Sequence, residues 1–429
     1  MSFSSFLRQF ARGINKHEKG LLALLSVVIV ISGTFWLREF STSESNNPSV
    51  GGTYIEGIVG SSTDVETIAA RITKVGLFKF NRDGELENVL VESWNVNQNK
   101  TQYTFKLKSE VDVQEIKTDI DANYEVFGQI ESEVKDSTLI LNSTDPSPNI
   151  PLILAQPLFD YGAYKLNKTT DSTTILTRNN RSGALGAFIN KIIIHNYQSK
   201  EELQLAIDRK KVDGTSNNLE LNYPPNFIKK EIALPQYYAL VFNVNKAPFK
   251  SLDYRRQAFT NSFSKKIPFT LTVTDQVNQI ELAEQLIKDW AKAGVNVKLN
   301  KQSIEDIQTS IAPSRNFEAM ITGISYGYEL DPYYLWHSSQ VLPPGNNFSG
   351  INNTDINIRI EKIRNTYNVI SRYAQIDELH KQLGGLGVLK ILDRSKEIFA
   401  VSDAIRFVPP TVAVSPIDHW YALSEWSVK

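Results

Sequence analysis

Cysteine is absent from this 429-residue chain, and histidine is scarce, with five residues. Without cysteine the chain can form no disulfide, no lipid-modified N-terminal cysteine and no thiolate nucleophile or metal site. The histidines, at positions 17, 195, 337, 380 and 419, show no H-x-x-x-H or H-E-x-x-H spacing. The sequence also lacks a G-x-x-x-x-G-K-[ST] motif, and Gly384-Gly-Leu-Gly387 does not have the spacing of a dinucleotide-binding turn. We therefore expect no metal and no cofactor.

An excess of charge of either sign is also missing. The 46 Lys and Arg nearly cancel the 47 Asp and Glu, so no global field attracts the chain to nucleic acid. Hydrophobic residues make up 41%, enough for a sizeable core, and the length is about three times that of a typical domain. These values predict a folded protein of two or more lobes that does not bind nucleic acid.

One long uncharged run is present, at residues 20–37, and it is about the shortest length that spans a bilayer as a helix. Arg8, Arg12, Lys16 and Lys19 precede it, so the positive-inside rule places the basic N-terminus, residues 1–19, in the cytoplasm. The alternative is a cleaved signal peptide, although no good A-x-A site is present. Residues 38–52 then form a polar tether. The sequence predicts a single-pass plasma-membrane protein whose bulk lies on the extracellular or periplasmic side.

The exported part alternates strand and helix patterns. Residues 53–151 are expected to be mostly β. Residues 269–273 alternate as a strand, residues 280–293 have helical spacing up to Gly294, and residues 295–299 resume the alternation. A second helix is predicted at residues 303–311 and a further strand at residues 317–324. This order predicts an α/β fold with open sheets, in which binding sites lie where strands end.

The strand at residues 317–324 leads into a loop, residues 325–336, that combines five aromatic residues with two carboxylates. Such a mixture is typical of a small-molecule pocket, because flat apolar contact is combined with an acid that fixes a cation or a hydroxyl. The alternative is that the aromatic residues only fill a gap between lobes.

Two further motifs in the sequence are weaker. Gly323-Ile-Ser325-Tyr-Gly327 matches the G-x-S-x-G of serine hydrolases, with His337, His380 and His419 as candidate bases, but Pro332 argues against the helix that such a motif requires. Asp253 is predicted to cap a helix whose two arginines either clamp a ligand carboxylate or pair within the protein.

Several sequence segments resemble those of the bacterial extracellular solute-binding protein family 5, the oligopeptide-, dipeptide- and nickel-binding type that serves ABC transporters. GGTYIEGIVG (residues 51–60) is similar to the family's first strand, and residues 75–108 resemble its phrase with a D-G turn, an E-S-W and a Y-T-F strand. Residues 161–180, 189–213 and 237–259 are similar to later phrases, and the loop at 325–336 occupies the place of the family's W-x-x-D-x-x-D-P ligand loop. The resemblance implies a bilobal periplasmic-binding-protein-like fold (type II, cluster C-like) that captures solutes without chemistry.

The departures from the family pattern shape the expected domains. Residues 109–120 are expected to run almost directly into later strands, so that the small extra domain, residues 76–152, is β-rich and reduced. Lobe I is then expected at residues 53–75, 153–238 and 405–429, and lobe II at residues 239–404. The two lobes are expected to be joined by strands near residues 241–245 and 406–414 and to close by hinge motion.

The resemblance therefore implies a membrane-anchored solute-binding protein of an ABC importer, with a permease and an ATPase as partners and a peptide or similar small polar solute as ligand. Peptide-binding members pair the ligand's α-amino group with an aspartate at the position that Tyr328 occupies here, so Glu329 or Asp331 is expected to replace it. The predicted ligand-binding residues are Glu56, Gly57, Tyr326, Gly327, Tyr328, Glu329, Asp331 and Trp336. The alternatives are a non-transporting surface interaction or assembly protein derived from that family and, third, a serine hydrolase that uses Ser325.

Overall fold

The computed structural model describes residues 50–429, except positions 129, 182, 217, 218, 411, 412 and 416. The predicted membrane anchor at residues 20–37 and nearly all of the tether lie outside the described residues. Within the described ranges, no helix has both the length and the apolar character required to cross a bilayer.

Ten strands form one mixed sheet in the order β14-β13-β15-β12-β16-β11-β1-β10-β9-β8. The strands are β1 Thr53–Ile58, β2 Phe78–Phe80, β3 Leu86–Asn88, β4 Val91–Val96, β5 Gln102–Leu107, β6 Glu131–Lys135, β7 Thr138–Asn142, β8 Tyr164–Thr169, β9 Thr173–Arg178, β10 Lys191–Asn196, β11 Gly214–Ser216, β12 Phe227–Phe242, β13 Phe269–Thr274, β14 Val297–Gln302, β15 Ala319–Ser325, β16 Leu389–Ser402, β17 Ile405–Arg406 and β18 Ser427–Val428. We call β11, β1, β10, β9 and β8 the first half of the sheet, and β14, β13 and β15 the second half. The two edge strands are β14 and β8.

Helices cover the sheet and connect its strands, as the alternating sequence pattern predicts. They are α1 Ser62–Thr73, α2 Val113–Ala122, α3 Tyr124–Phe127, α4 Ile150–Ile153, α5 Lys200–Asp208, α6 Leu252–Thr260, α7 Val277–Lys292, α8 Ile304–Asp306, α9 Ala312–Ser314, α10 Tyr333–Trp336, α11 Thr354–Arg364 and α12 Val369–Gly385, with a π-helical turn at Ile307–Ile311 and 3-10 helices at Ser338–Gln340 and Asp418–Glu425. The predicted β-α-β unit is confirmed: β13 and β14 pair in parallel around α7. Gly294 ends this connection with a φ of 82°, a conformation that glycine adopts without strain.

Two long strands, β12 and β16, connect the halves of the sheet. Strands β12 and β16 are antiparallel neighbours along most of their length. The later part of β12 also pairs with β15, in the second half of the sheet. The end of β16 also pairs with β11, in the first half. The ladder between them is irregular from Ala233 to Tyr237, where Pro235 has no N–H to donate. The second connecting strand is therefore residues 389–402 and not the predicted segment near 406–414. Among the described residues of that segment, the strand present is Ile405–Arg406, which belongs to a two-stranded sheet with β18.

Apolar packing follows the same division. In the first half, Tyr54 and the apolar face of α1 pack with Trp420 and Trp426 of the C-terminal segment. In the second half, α7 places Ala283, Leu286 and Trp290 against β13 and β15 at helical spacing, which is why an amphipathic sequence folds as a helix here. The C-terminal segment is thus part of the first half's core.

The region of residues 76–152 holds the separate antiparallel sheet β4-β5-β7-β6 and the hairpin β2-β3. The expectation that residues 109–120 run directly into strands is wrong, because α2 begins there, capped by the Asp112 carboxylate, which accepts from the backbone N–H of Gln114 at 2.9 Å. Ile116 and Ile120 of α2 are buried in the core of this sheet. Helix α1, capped by Ser61 and Asp64, is a second helix in a region expected to be mostly β. The predicted domain boundaries themselves remain a prediction.

The predicted cap of α6 is also wrong. Ser251 caps this helix, and its hydroxyl accepts from the backbone N–H of Tyr254, while Asp253 lies in the first turn. Arg255 and Arg256 donate to backbone carbonyls, including those of Phe249 and Gly385, so that both guanidinium groups are used within the protein.

Candidate functional site at the junction of the two halves

The predicted ligand loop follows β15 and is held in place by two of its own aromatic side chains. Tyr326 and Trp336 are buried, and the Trp336 indole N–H donates to the Tyr326 hydroxyl at 2.9 Å. The Tyr326 hydroxyl is also 2.6 Å from His380 Nε2, and burial lowers the pKa of His380 to about 4, so this imidazole is neutral. These two aromatic residues support the loop from inside.

Asp331 is the second predicted carboxylate of the loop, and its contacts are with the protein itself. It is buried, and it accepts from Arg364 Nε at 3.2 Å, from the backbone N–H of Tyr333 at 2.9 Å and from the Asn149 side chain. The same Asn149 accepts from Arg372, which is fully buried and donates to the backbone carbonyl of Leu330. Burial lowers the pKa of Arg372 to about 10, against the opposing effect of the nearby carboxylates. Asp331 thus ties the loop to residue 149, at the start of α4.

Glu329 is different. It is half-buried, and among the described residues its carboxylate takes part in no ion pair within 4 Å. Both carboxylate oxygens lie over Gly327, where an added Cβ would be 2.8 and 2.9 Å from them. Gly327 also has a φ of 69°, a conformation that other residues adopt only with strain. Burial raises the pKa of Glu329, because it disfavours the charged form, and a cationic partner would stabilise that form.

Tyr328 links the loop to the first half of the molecule. Its hydroxyl is hydrogen-bonded to the hydroxyl of Tyr421, in the C-terminal 3-10 helix, and both hydroxyls lie at the backbone carbonyl of Ala155. The Arg71 guanidinium of α1 lies 5.0 Å from the centre of the Tyr421 ring and 5.9 Å from that of Tyr328, and it forms an ion pair with Asp418. The loop, α1 and the C-terminal segment therefore meet at one point, which we call the junction.

A cavity of about 220 Å³ lies at the junction. Tyr328 and Tyr421 line it together with residues 79–82 of the β2–β3 hairpin and residues 408–410. This volume is many times the about 10–15 Å³ that a cavity needs to hold a single water molecule. It is therefore large enough for a small organic solute.

The two predicted residues of β1 lie on opposite faces of the sheet. Glu56 is buried and accepts from the Tyr54 hydroxyl at 2.5 Å and from Ser216 Oγ at 2.6 Å, and burial raises its pKa. Gly57 faces α5, since a Cβ there would be 2.6 Å from a methyl group of Leu203. Neither Glu56 nor Gly57 is among the residues that line the cavity at the junction.

Sequence reasoning missed a buried polar cluster that underlies the junction. His419 Nδ1 is hydrogen-bonded to Glu397 Oε1, and His419 stacks on Phe399 with 5.3 Å between the ring centres. Burial raises the pKa of Glu397 to about 9 and lowers that of His419 to about 4, so both groups are neutral at pH 7. The run Asp418-His-Trp-Tyr421 was the available signal, because four polar or aromatic residues in succession near an apolar C-terminal segment indicate a buried network.

The nucleophile-elbow motif does not form. Ser325 is exposed at the end of β15 and is followed by a turn, not a helix. His380 and His419 are engaged with Tyr326 and Glu397, which leaves neither as a base for Ser325.

No protein-family model and no curated protein matches the sequence. Solved structures do match it. The oligopeptide-binding protein AppA from Bacillus subtilis, in complex with a nonapeptide, is 12% identical with a TM-score of 0.60, and the match covers 89% of this chain and 100% of that chain. The ABC transporter substrate-binding protein CtaP from Listeria monocytogenes is 14% identical with a TM-score of 0.62, covering 89% and 100%. The nickel ABC transporter protein from Bacillus halodurans is 13% identical with a TM-score of 0.65, covering 86% and 98%.

The fold is therefore that of the substrate-binding proteins of ABC transporters. Within that class, the similar structures are of the oligopeptide- and nickel-binding type, so the resemblance to solute-binding protein family 5 is confirmed at the level of the fold.

Proposed function

We propose that this protein captures a peptide or a similar small polar solute at the junction of its two halves and delivers it to an ABC permease, without catalysing a reaction. The observation that carries the proposal is the cavity of about 220 Å³ lined by Tyr328 and Tyr421. Glu329 follows Tyr328 in the chain; it is not among the residues that line the cavity, but it has no ion-pair partner among the described residues. An ammonium group of the solute pairs with Glu329, and the tyrosine rings supply flat contact.

The two connecting strands support a capture mechanism based on closure. Where the ladder between β12 and β16 is irregular, from Ala233 to Tyr237, fewer backbone hydrogen bonds resist bending. A solute that binds the closed arrangement better shifts the population toward it. The hydroxyls of Tyr328 and Tyr421 are hydrogen-bonded at the junction, and this contact is the proposed latch of the closed form.

The first experiment is a thermal-shift screen of the full chain, purified in detergent, against di- to octapeptides, oligosaccharides and nickel chelates. A solute at 100 times its dissociation constant adds about 2.7 kcal/mol to the free energy of unfolding. With an unfolding entropy of about 0.8 kcal/mol/K for about 380 residues, the melting temperature rises by about 3 °C. Flat melting curves for every solute class would contradict solute capture.

Glu329→Gln tests the role of the carboxylate in a second step. For a peptide found in the screen, the variant should bind about 2 kcal/mol less tightly if the ion pair is buried. The same peptide with an acetylated N-terminus is the matched control, because it has no ammonium group and its affinity should not change between the two proteins. Equal loss for both peptides would show that Glu329 acts on the fold and not on the ligand.

We also propose that residues 20–37 anchor the chain in the plasma membrane with the bulk outside. The full chain should sediment with membranes and resist carbonate extraction, whereas residues 50–429 alone should not. Recovery of an N-terminally shortened protein from the medium would instead favour a cleaved signal peptide.

The second candidate is a non-transporting surface interaction protein with the same fold. The observation that favours this candidate concerns Asp331, the carboxylate before Pro332. Asp331 contacts Arg364 and Asn149 of the protein itself, so it is not free to pair with a ligand cation. A well-folded sample without any response in the solute screen would move the assignment to this candidate.

A further inference from the structure

Strands β8, β9 and β10 present a face of the sheet that points away from α1. Residues that pair directly lie on the same face, so the pairing register gives the composition of that face. One row across β8, β9, β10 and β1 is Lys165, Thr177, Lys191 and Thr53, and a neighbouring row is Lys168, Ile175, Ile193 and Ile55. The opposite face carries Leu176, Ile192 and Tyr54, which are buried in the core with α1. We call Lys165, Lys168, Ile175, Thr177, Lys191 and Ile193 the basic face.

The centre of the basic face is apolar and open. Ile175 and Ile193 are half-buried, and neither belongs to an apolar cluster of the described residues. Ile55, at the β1 end of the same row, packs instead with the buried residues of α5. Helix α5 therefore covers the β1 end of this row and leaves the part on β8, β9 and β10 open.

The rim of the basic face is positively charged. Its three lysines are exposed, and among the described residues none of them has a carboxylate within 4 Å. Residues 164–196 contain five basic residues and one acidic residue, in a chain whose charges otherwise nearly cancel. That acidic residue, Asp171, lies in the turn between β8 and β9, and Glu201 follows the end of β10, so both are at the other end of these strands from Lys165 and Lys191.

The chain enters the sheet at the same end as these two lysines. The carbonyl of Gly52, just before β1, accepts from the backbone N–H of Asn190, just before β10, at 3.2 Å. Asn190 in turn lines one open hollow with Lys165 and Arg178. The residues that precede β1 are therefore connected to the molecule beside its positively charged rim.

We propose that the basic face docks on the anionic headgroups of the membrane that carries the anchor at residues 20–37, an inference that rests on the anchor proposed above. The lysine ammonium groups pair with headgroup phosphates, and the two isoleucines meet the interfacial region of the bilayer. Residues 38–49 span at most about 45 Å, so the anchor keeps the basic face close to the membrane. A contact that is weak for the free domain is sufficient at such a high local concentration.

Lysine acylation of the full chain in lipid nanodiscs is the first test. An uncharged acylating reagent is applied in phosphatidylglycerol or phosphatidylcholine discs, and the rate at each lysine is measured by mass spectrometry. Lys165, Lys168 and Lys191 should react at least threefold more slowly in phosphatidylglycerol, whereas Lys298 and Lys301, on the opposite edge strand, should react equally in both lipids. In 1 M salt, where the Debye length is about 3 Å, the difference should disappear.

A matched pair of double variants connects the protection to the basic face, because the tetrapeptide Lys-Leu-Asn-Lys occurs in both edge strands. Each lysine near an anionic surface contributes about fivefold to binding, so Lys165→Gln with Lys168→Gln should weaken docking about 25-fold and restore the reaction of Lys191. Lys298→Gln with Lys301→Gln changes the net charge equally and should leave Lys191 protected. Loss of protection in both double variants would indicate a response to net charge alone and would overturn the proposal.

The same experiment separates the failure of the anchor from the failure of this inference. Elution of the full chain with the nanodiscs reports on the anchor, and a chain that does not incorporate would overturn both. Incorporation with equal rates at the three lysines in the two lipids would leave the anchor standing and refute docking through the basic face.

Discussion

Replacing each carboxylate of the loop at residues 325–336 by its amide should lower the free energy of unfolding for Asp331 and leave it almost unchanged for Glu329. Asp331→Asn removes the buried partner of Arg364, whose side chain is 14% exposed, and disturbs Asn149, which also contacts the buried Arg372. Removing one member of a buried ion pair costs about 3–5 kcal/mol, because the remaining charge stays buried without compensation. With an unfolding entropy of about 0.8 kcal/mol/K, the melting temperature should fall by about 4–6 °C.

Glu329→Gln should leave stability almost unchanged. Burial raises the pKa of Glu329 and outweighs the favourable effect of Arg372, so replacing its carboxylate by a neutral amide removes no net stabilisation. A third variant, Glu361→Gln, is the control for Arg364: its carboxylate is 3.5 Å from Arg364 Nη1 but 46% exposed, and such surface pairs contribute less than about 1 kcal/mol.

Urea unfolding of the three variants, followed by tryptophan fluorescence and far-UV circular dichroism together, measures these differences. The expected order of the loss in stability is Asp331→Asn well above Glu361→Gln, with Glu329→Gln at or near wild type. If Asp331→Asn were as stable as wild type, or if Glu329→Gln were destabilised as much as Asp331→Asn, the assignment of one carboxylate to the fold and the other to the ligand would be refuted.

Three further results are expected. The free energy of unfolding of the wild type should fall by about 1–2 kcal/mol from pH 7 to pH 8.5. In this range Glu397 keeps its proton in the folded protein, where its pKa is raised to about 9, but loses it in the unfolded chain. Urea titrations of Glu397→Gln should not show this slope. Below about pH 6.5 the lowered pKa of His419 opposes this trend, because His419 binds a proton in the unfolded chain but not in the folded protein. A flat profile from pH 7 to 8.5 would indicate that Glu397 and His419 form a charged pair instead. Tyr328→Phe should cost about 1 kcal/mol and increase amide hydrogen exchange in the C-terminal 3-10 helix, because its hydroxyl bonds that of Tyr421; unchanged exchange would argue against this contact as a latch. A fluorophosphonate probe should leave Ser325 unlabelled, and labelling that is lost in Ser325→Ala would reinstate the hydrolase.

Local patterns predicted the second half of the sheet well. Leu286 and Trp290 mark α7 because their spacing is helical, and Gly294 marks its end because the turn requires a positive φ. Helix α2 was missed because its two fully buried residues, Ile116 and Ile120, lie among charged ones. Burial against β5 and β7 therefore determines the helix more than its own sequence does.

The candidate site was predicted only in its chain location. The loop at residues 325–336 does reach the junction, but the sequence does not tell which carboxylate is used internally, since Asn149, 182 residues away in the chain, decides the role of Asp331. Arg71 and Asp418 illustrate the same limit, because their ion pair joins positions separated by 347 residues. Contacts of that range depend on the topology of the sheet and leave no local pattern.

The edges of the ten-stranded sheet have a consequence for solubility. The two outermost strands, β8 and β14, both contain the tetrapeptide Lys-Leu-Asn-Lys, and their four lysines, at positions 165, 168, 298 and 301, are exposed. A strand of another molecule that paired with either edge would have to bring its backbone alongside these ammonium groups and desolvate them. The sheet therefore discourages edge-to-edge pairing at both ends by the same means.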